Sequence, residues 1–191
     1  MKIRKENEEI EKTLTERGRS PTAVLTWNVN SLNTRWCRGS ENATNAYRDF
    51  TSLTQEEKFN LNFKDVIEAA GCPDAVFILE SKLTLEKLLK IKGFDEWRKS
   101  KGYDYVCAVW SQSTRNKAGY AGVVLLSKTR PLRVDYDFLQ QREPAFEGRT
   151  ITAYYRTMTL VGVYSQCSGY DNAHIVAKRR IDKALRHTCI W

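Results

Sequence analysis

Short apolar runs that end in polar residues recur along this chain, and such runs predict buried β-strands. Six segments rich in valine, isoleucine, leucine, threonine and tyrosine show the pattern: residues 23–29, 75–79, 105–110, 122–127, 150–155 and 158–164. Because the last two segments are separated by a very short connection, we expect them to form a β-hairpin.

Apolar residues at helical spacing predict three helices. The first covers residues 63–70 and ends at Gly71, a residue type that commonly follows helix C-termini. The second begins near Thr84, and the third covers residues 177–188 with basic side chains on its wetter sides. Strand–helix alternation combined with a hairpin predicts an α/β fold of two packed sheets with outer helices. A single doubly wound sheet is the alternative, although no glycine-rich nucleotide-binding motif supports it.

A length of 191 residues fits one domain of ordinary size. Residues 1–21 are polar and predict a peripheral tail, which leaves residues 22–191 for the domain. Residues 35–60 are polar and weakly periodic, so we interpret them as an inserted loop.

The composition limits the cellular compartment and the kinds of partner that we expect for this protein. The N-terminus lacks the apolar core of a secretory signal, and no stretch is long and apolar enough to span a bilayer, so no membrane partner is expected. Five scattered cysteines without a C-x-x-C pair favour a reducing compartment. We therefore expect an intracellular protein, nuclear in a eukaryote and otherwise cytoplasmic.

The net charge of +8 favours an anionic partner such as nucleic acid. The basic residues concentrate in two segments, 81–102 and 171–191. The alternative interpretation is that both segments are ordinary solvated faces.

Polar side chains at the ends of the first two predicted strands are the candidate chemistry. Asn28 and Asn30 end the first strand, and Glu80 ends the second. If these strands are neighbours, the three side chains converge at one sheet edge, where they could hold a divalent cation and a phosphate. The alternative is that these residues only terminate strands.

Five ordered segments extend this picture: residues 27–32 (WNVNSL), 77–82 (FILESK), 119–128 (GYAGVVLLSK), 147–151 (EGRTI) and 163–169 (VYSQCSG). Together they resemble motifs of the exonuclease III-like apurinic/apyrimidinic (AP) endonucleases of the endonuclease/exonuclease/phosphatase superfamily. The resemblance implies a four-layer α/β sandwich of that type, incomplete at its C-terminus. It also implies Mg²⁺-dependent hydrolysis of DNA 5′ to abasic sites and 3′–5′ exodeoxyribonuclease activity, with Mn²⁺ as an alternative metal and abasic double-stranded DNA as the partner.

The resemblance also implies individual roles. The site residues are Asn28 and Tyr164 for catalysis, Glu80 and Asn30 for the metal, and Gly119, Tyr120 and Arg149 for DNA. Structural alternatives remain open, because a tyrosine at a strand end is often packing and Arg149 could pair with a nearby glutamate such as Glu147.

Departures from the motifs limit the expected activity. Leu79 replaces a glutamine before the metal-binding glutamate, and Cys167 replaces an amide with a thiol, which is a weak donor. The sequence also lacks the G-D-x-N and S-D-H blocks with which the family continues. We therefore expect weak or no activity from this chain alone, with a complementing C-terminal fragment as a partner. Alternative functions are a non-catalytic remnant that binds DNA or a protein, a retroelement endonuclease, and a lipid or inositol phosphoesterase.

Overall fold

The computed structural model describes residues 19–37, 62–111, 121–136, 148–165 and 175–188. Several predictions lie outside these residues: the tail up to residue 18, the loop from residue 38 onward, and the motif residues Gly119, Tyr120 and Cys167. None of the described helices is long and apolar enough to cross a membrane.

The described residues form strands and helices in the order β1 (Val24–Asn28), α1 (Leu32–Cys37), α2 (Phe63–Ala69), β2 (Ala75–Leu79), α3 (Leu85–Leu89), α4 (Phe94–Ser100), β3 (Tyr105–Val109), β4 (Val123–Ser127), β5 (Arg133–Tyr136), β6 (Thr150–Tyr154), β7 (Thr159–Val163) and α5 (Ile175–Thr188). All six predicted strands and all three predicted helices are confirmed, with boundaries that differ by one or two residues. Thr84 caps α3 by accepting a hydrogen bond from the backbone N–H of Lys87.

The sequence did not predict three elements, α1, α4 and β5, and it placed one boundary wrongly. The predicted loop cannot begin at Arg35, because Arg35 and Trp36 are buried within α1. There the Arg35 Nε donates to the Val29 carbonyl at 3.1 Å, so this charged side chain is part of the packed structure. Helix α4 begins at Phe94 after the N-cap residue Gly93, which has no side chain to cap it, and β5 is a short, half-exposed strand. Neither carries a strong sequence signal.

The strands form two separate sheets. The first has the order β1-β2-β4-β3, in which β1 and β2 are parallel and the other pairs antiparallel. The second has the order β5-β6-β7 and is antiparallel throughout. The predicted hairpin between β6 and β7 is confirmed, and its turn is closed by a 2.8 Å bond from Tyr155 N–H to the Met158 carbonyl.

Strand β2 separates the two parts of the core. Val76 and Ile78 point toward α1–α4, where they pack with aromatic residues that include Phe63 and Trp97. Phe77 points the other way, into the apolar layer between the two sheets. This explains why β2 reads as a continuous apolar run rather than an alternating one. The expected sandwich of two sheets with outer helices is therefore confirmed, and the alternative of a single doubly wound sheet is wrong.

Asp74, which directly precedes β2, forms hydrogen bonds with the residues that precede β1. Its Oδ2 accepts from the Thr22 hydroxyl at 2.6 Å and from the Thr22 and Ala23 backbone N–H groups at 2.9 and 3.3 Å. Lys128 Nζ lies 3.6 Å from Oδ1. The Thr22 hydroxyl bond is the largest cause that lowers the pKa of Asp74 to about 2. The predicted tail ends before residue 21, because the Ser20 Oγ already accepts from the Thr157 backbone N–H at 3.0 Å and Pro21 is buried.

Because the pKa of Asp74 is lower in the folded protein than in the unfolded chain, its ionisation stabilises the fold above the unfolded pKa. Asp74→Asn should cost about 1–2 kcal/mol at neutral pH, a value reduced for the partial exposure of the carboxylate. The stability difference between the two proteins should disappear as the pH falls from about 4 to about 2. Urea denaturation across this pH range measures it, and a constant difference would contradict the expectation.

Candidate functional site

The parallel pairing of β1 and β2 brings the candidate residues to one edge of the first sheet. Asn28 lies opposite Leu79, so the segments that follow both strands leave in the same direction. Backbone bonds continue past the strands, from Val29 N–H to the Leu79 carbonyl at 3.1 Å and from Ser31 N–H to the Glu80 carbonyl at 2.9 Å. The condition that the two strands are neighbours is therefore met, and Asn28, Asn30 and Glu80 share this edge.

The side chains at this edge are organised around a cationic group. The Asn28 Oδ1 accepts from the Asn30 backbone N–H at 3.1 Å, which fixes the loop after β1. Lys82 Nζ donates to the Asn30 Oδ1 at 2.5 Å and lies 3.3 Å from the Glu80 Oε1. The Glu80 side chain is only 19% exposed. Two oxygen atoms from the segments that follow β1 and β2 thus reach one positive charge, and Lys82 is a participant that the motif comparison did not single out.

The backbone here adopts conformations that are rare for residues with a side chain. The φ angles are +45° at Asn30, +91° at Ser31, +58° at Glu80 and +56° at Lys82. Positive φ values at such residues cost free energy and persist only where surrounding contacts hold them. Contacts from neighbouring segments therefore hold the backbone at this edge.

Gly122 and Ser81 hold the loop that carries Glu80. Ser81 N–H donates to the Gly122 carbonyl at 3.1 Å, and Lys82 N–H donates to the Ala121 carbonyl at 3.0 Å. A Cβ atom at Gly122 would lie 2.4 Å from the buried Ser81 Oγ, so only glycine permits this approach. Gly122 is a supporting residue inside one of the five motif segments, to which the sequence assigned no site role.

Tyr164 and Arg149 form a second part of the site. Tyr164 N–H donates to the Arg149 carbonyl at 2.9 Å, and the Arg149 guanidinium carbon lies 5.0 Å from the centre of the Tyr164 ring. Arg149 is only 3% exposed, so its predicted DNA contact is not an open surface contact in this structure. Tyr164 packs at the edge of the core between the sheets, as the packing interpretation of that residue expects.

Backbone hydrogen bonds connect the two parts. Ser81 donates to Gly122, Gly122 N–H donates to the Gly148 carbonyl at 3.1 Å, and Gly148 immediately precedes Arg149. Arg149 in turn accepts from Tyr164. The loop after β2 and the end of β7 are therefore joined through a short series of main-chain contacts.

A basic cleft begins beside this edge. It has a volume of about 660 Å³ and is lined by Asn33, Trp36, Leu83, Lys87, Lys90, Ile91 and Lys92. Asn33 lies three residues after Asn30, and Leu83 directly follows Lys82. Part of the basic segment 81–102 is thus gathered along one concave surface next to the candidate site.

The donor set suits a hard divalent cation in number and kind. Mg²⁺ commonly takes one or two carboxylates and completes its shell with water and substrate phosphate. Glu80 supplies a carboxylate and Asn30 an amide oxygen, both already directed at a positive charge. Within the described ranges, no group of three or more histidine, cysteine, aspartate or glutamate residues could hold a metal. Glu80 and Asn30 would therefore supply two oxygen ligands, and the rest of a Mg²⁺ shell would come from water and phosphate.

No protein-family model matches the sequence. Among solved structures, the chain is similar to a variant of the 3′ phosphatase NExo from Neisseria bound to product DNA hairpin, with a TM-score of 0.50 and 22% sequence identity. The match covers 84% of this chain and 49% of that one, so this chain spans about half the length of that protein. The comparison shows the fold that this chain shares with that protein, an α/β sandwich of two sheets.

Proposed function

We propose that this chain carries the metal-binding side of a DNA phosphoesterase, with AP endonuclease as its specific activity. The observation that carries the proposal is the convergence of Glu80 and Asn30 oxygen atoms on one cationic group at the ends of β1 and β2. A Mg²⁺ ion held there would neutralise charge on a phosphate and its leaving oxygen.

The chain's own residues have separate roles in this proposal. Glu80 and Asn30 would hold the cation, and the Asn28 Oδ1 keeps Asn30 in place by accepting from its backbone N–H. The Tyr164 hydroxyl donates to a phosphate oxygen, and the Arg149 guanidinium beneath the ring orients the tyrosine. This makes Arg149 a positioning residue rather than a direct DNA contact.

Duplex DNA is the proposed partner because the positive charge is arranged next to the site. Three lysines, Lys87, Lys90 and Lys92, line the adjacent cleft, where they can approach successive phosphates. Phosphate contacts of this kind position a duplex without reading its sequence. Selection of an abasic site would then come from residues closer to Glu80.

The test measures metal binding and turnover separately on the purified chain. Mn²⁺ binding is followed by electron paramagnetic resonance. Nicking is followed on a labelled duplex with one abasic-site analogue, on the intact duplex, and on a duplex ending in a 3′-phosphate, each with Mg²⁺ or with chelator.

Glu80→Gln should lower Mn²⁺ affinity and any Mg²⁺-dependent product formation by at least about 10- to 100-fold, since losing even an outer-shell partner of a metal costs that much. The matched control is Glu96→Gln, which removes an exposed glutamate from the first turn of α4. Equal Mn²⁺ binding by the wild type and Glu80→Gln would refute the metal assignment. A preference for the 3′-phosphate end over the abasic duplex would replace the AP endonuclease assignment by a phosphatase.

A further inference from the structure

Lys82 lies where a metal held by Glu80 and Asn30 would have to be. Its Nζ is 2.5 Å from the Asn30 Oδ1 and 3.3 Å from the Glu80 Oε1, so the ammonium bridges both proposed ligand atoms. A Mg²⁺ ion needs its oxygen ligands at about 2.1 Å, which leaves no space for an ammonium group between the same two atoms. The two cations therefore exclude each other at this position.

We propose that Lys82 competes with the divalent cation for the Glu80 and Asn30 oxygen atoms and thereby sets the metal affinity of the site. This inference rests on the proposed function, because it concerns the same metal position. In the metal-free protein, the ammonium compensates a carboxylate that is largely removed from water. When metal binds, the lysine head must leave.

The surroundings of Lys82 allow that exchange. Its side chain is 38% exposed, so the flexible stem can carry the ammonium into solvent without unfolding the loop. Its backbone stays fixed by the hydrogen bond to the Ala121 carbonyl and by the buried neighbour Ser81. The backbone therefore keeps Glu80 in place while the lysine head moves.

A different role for Lys82 predicts the opposite result. If the ammonium positions Asn30 and Glu80 for the metal, its removal loosens the ligands and weakens binding. If it competes, its removal frees both oxygen atoms and eliminates repulsion between like charges, which strengthens binding. Metal affinity, measured without any substrate, distinguishes the two roles.

The experiment compares Mn²⁺ dissociation constants of the wild type and Lys82→Met, which keeps an unbranched stem without charge. We expect about 5- to 10-fold tighter Mn²⁺ binding by Lys82→Met, and less enhancement at high salt if part of the effect is long-range repulsion. Lys99→Met is the control, because it removes one positive charge from an exposed ion pair with Asp95 on α4. Thermal unfolding verifies that each variant is folded.

Each outcome has a definite meaning. Tighter binding in Lys82→Met but not in Lys99→Met, abolished by adding Glu80→Gln, supports the competition. Equal or weaker binding in Lys82→Met, with measurable wild-type binding, overturns it and leaves the proposed function standing. Absence of Mn²⁺ binding in both the wild type and Lys82→Met overturns the metal site itself, and the competition with it.

Discussion

Replacing Gly148 with alanine is expected to destabilise the protein by about 3 kcal/mol or more, since backbone strain and overpacking add at this position. A Cβ atom there would lie 2.3 Å from the Ser111 backbone nitrogen and 2.5 Å from the Trp110 carbonyl carbon. Both are main-chain atoms, so no flexible side chain can move aside. The φ angle of +76° adds the cost of a left-handed conformation to the clash.

Gly71→Ala is the matched control for this variant. Gly71 has a φ angle of +73°, but a Cβ atom there would meet nothing within 4 Å. Its cost should therefore be limited to the backbone term of about 1 kcal/mol. Chemical denaturation of both variants isolates the clash as their difference, and equal destabilisation would show that Gly148 is not required for close packing.

The effect of Gly148→Ala should extend to the candidate site. The Gly148 carbonyl accepts from Gly122, whose carbonyl accepts from Ser81 beside Glu80. Displacing Gly148 therefore disturbs the loop that holds the carboxylate, and Mn²⁺ affinity should fall along with stability. Gly71→Ala should leave Mn²⁺ affinity unchanged.

The sequence predicted elements whose signals are local. Residues 75–79 are uniformly apolar and end at a carboxylate, which indicated both a buried strand and a candidate site residue. Thr84 and Gly71 marked helix boundaries through their side-chain and backbone chemistry. The prediction that Asn28 and Glu80 converge depended on the two strands being neighbours. The sequence could not show this, because pairing between strands distant in sequence leaves no local signal.

The contacts that define the candidate site depend on tertiary structure. The Lys82 bridge requires positive φ angles at Asn30, Glu80 and Lys82, and those angles are held by hydrogen bonds from other segments. Burial of Arg149 under Tyr164 likewise depends on the β6–β7 hairpin and on packing between the sheets. Resemblance could therefore assign a charged motif residue such as Arg149 to the site. It could not predict whether that residue is exposed or buried.

Phe77→Ala is the second variant for which we expect a large effect, a loss of about 3–5 kcal/mol. The Phe77 side chain is 3% exposed and lies on the central strand β2, facing the second sheet. Its ring covers Gly162 of β7 so closely that a Cβ atom at Gly162 would lie 2.1 Å from the Phe77 Cδ1. Truncation leaves a cavity between the sheets because two hydrogen-bonded sheets cannot collapse freely onto it.

Gly162→Ala tests whether that close contact is the cause. In the wild-type background the added methyl group collides with the ring and should cost about 1–3 kcal/mol. In the Phe77→Ala background it enters the cavity and should cost much less, which gives a coupling of about 1 kcal/mol or more in a double-mutant cycle. Urea denaturation of the four proteins measures the coupling. Additive effects would mean that Phe77 stabilises the protein through the first sheet alone, and that Gly162 does not depend on the ring.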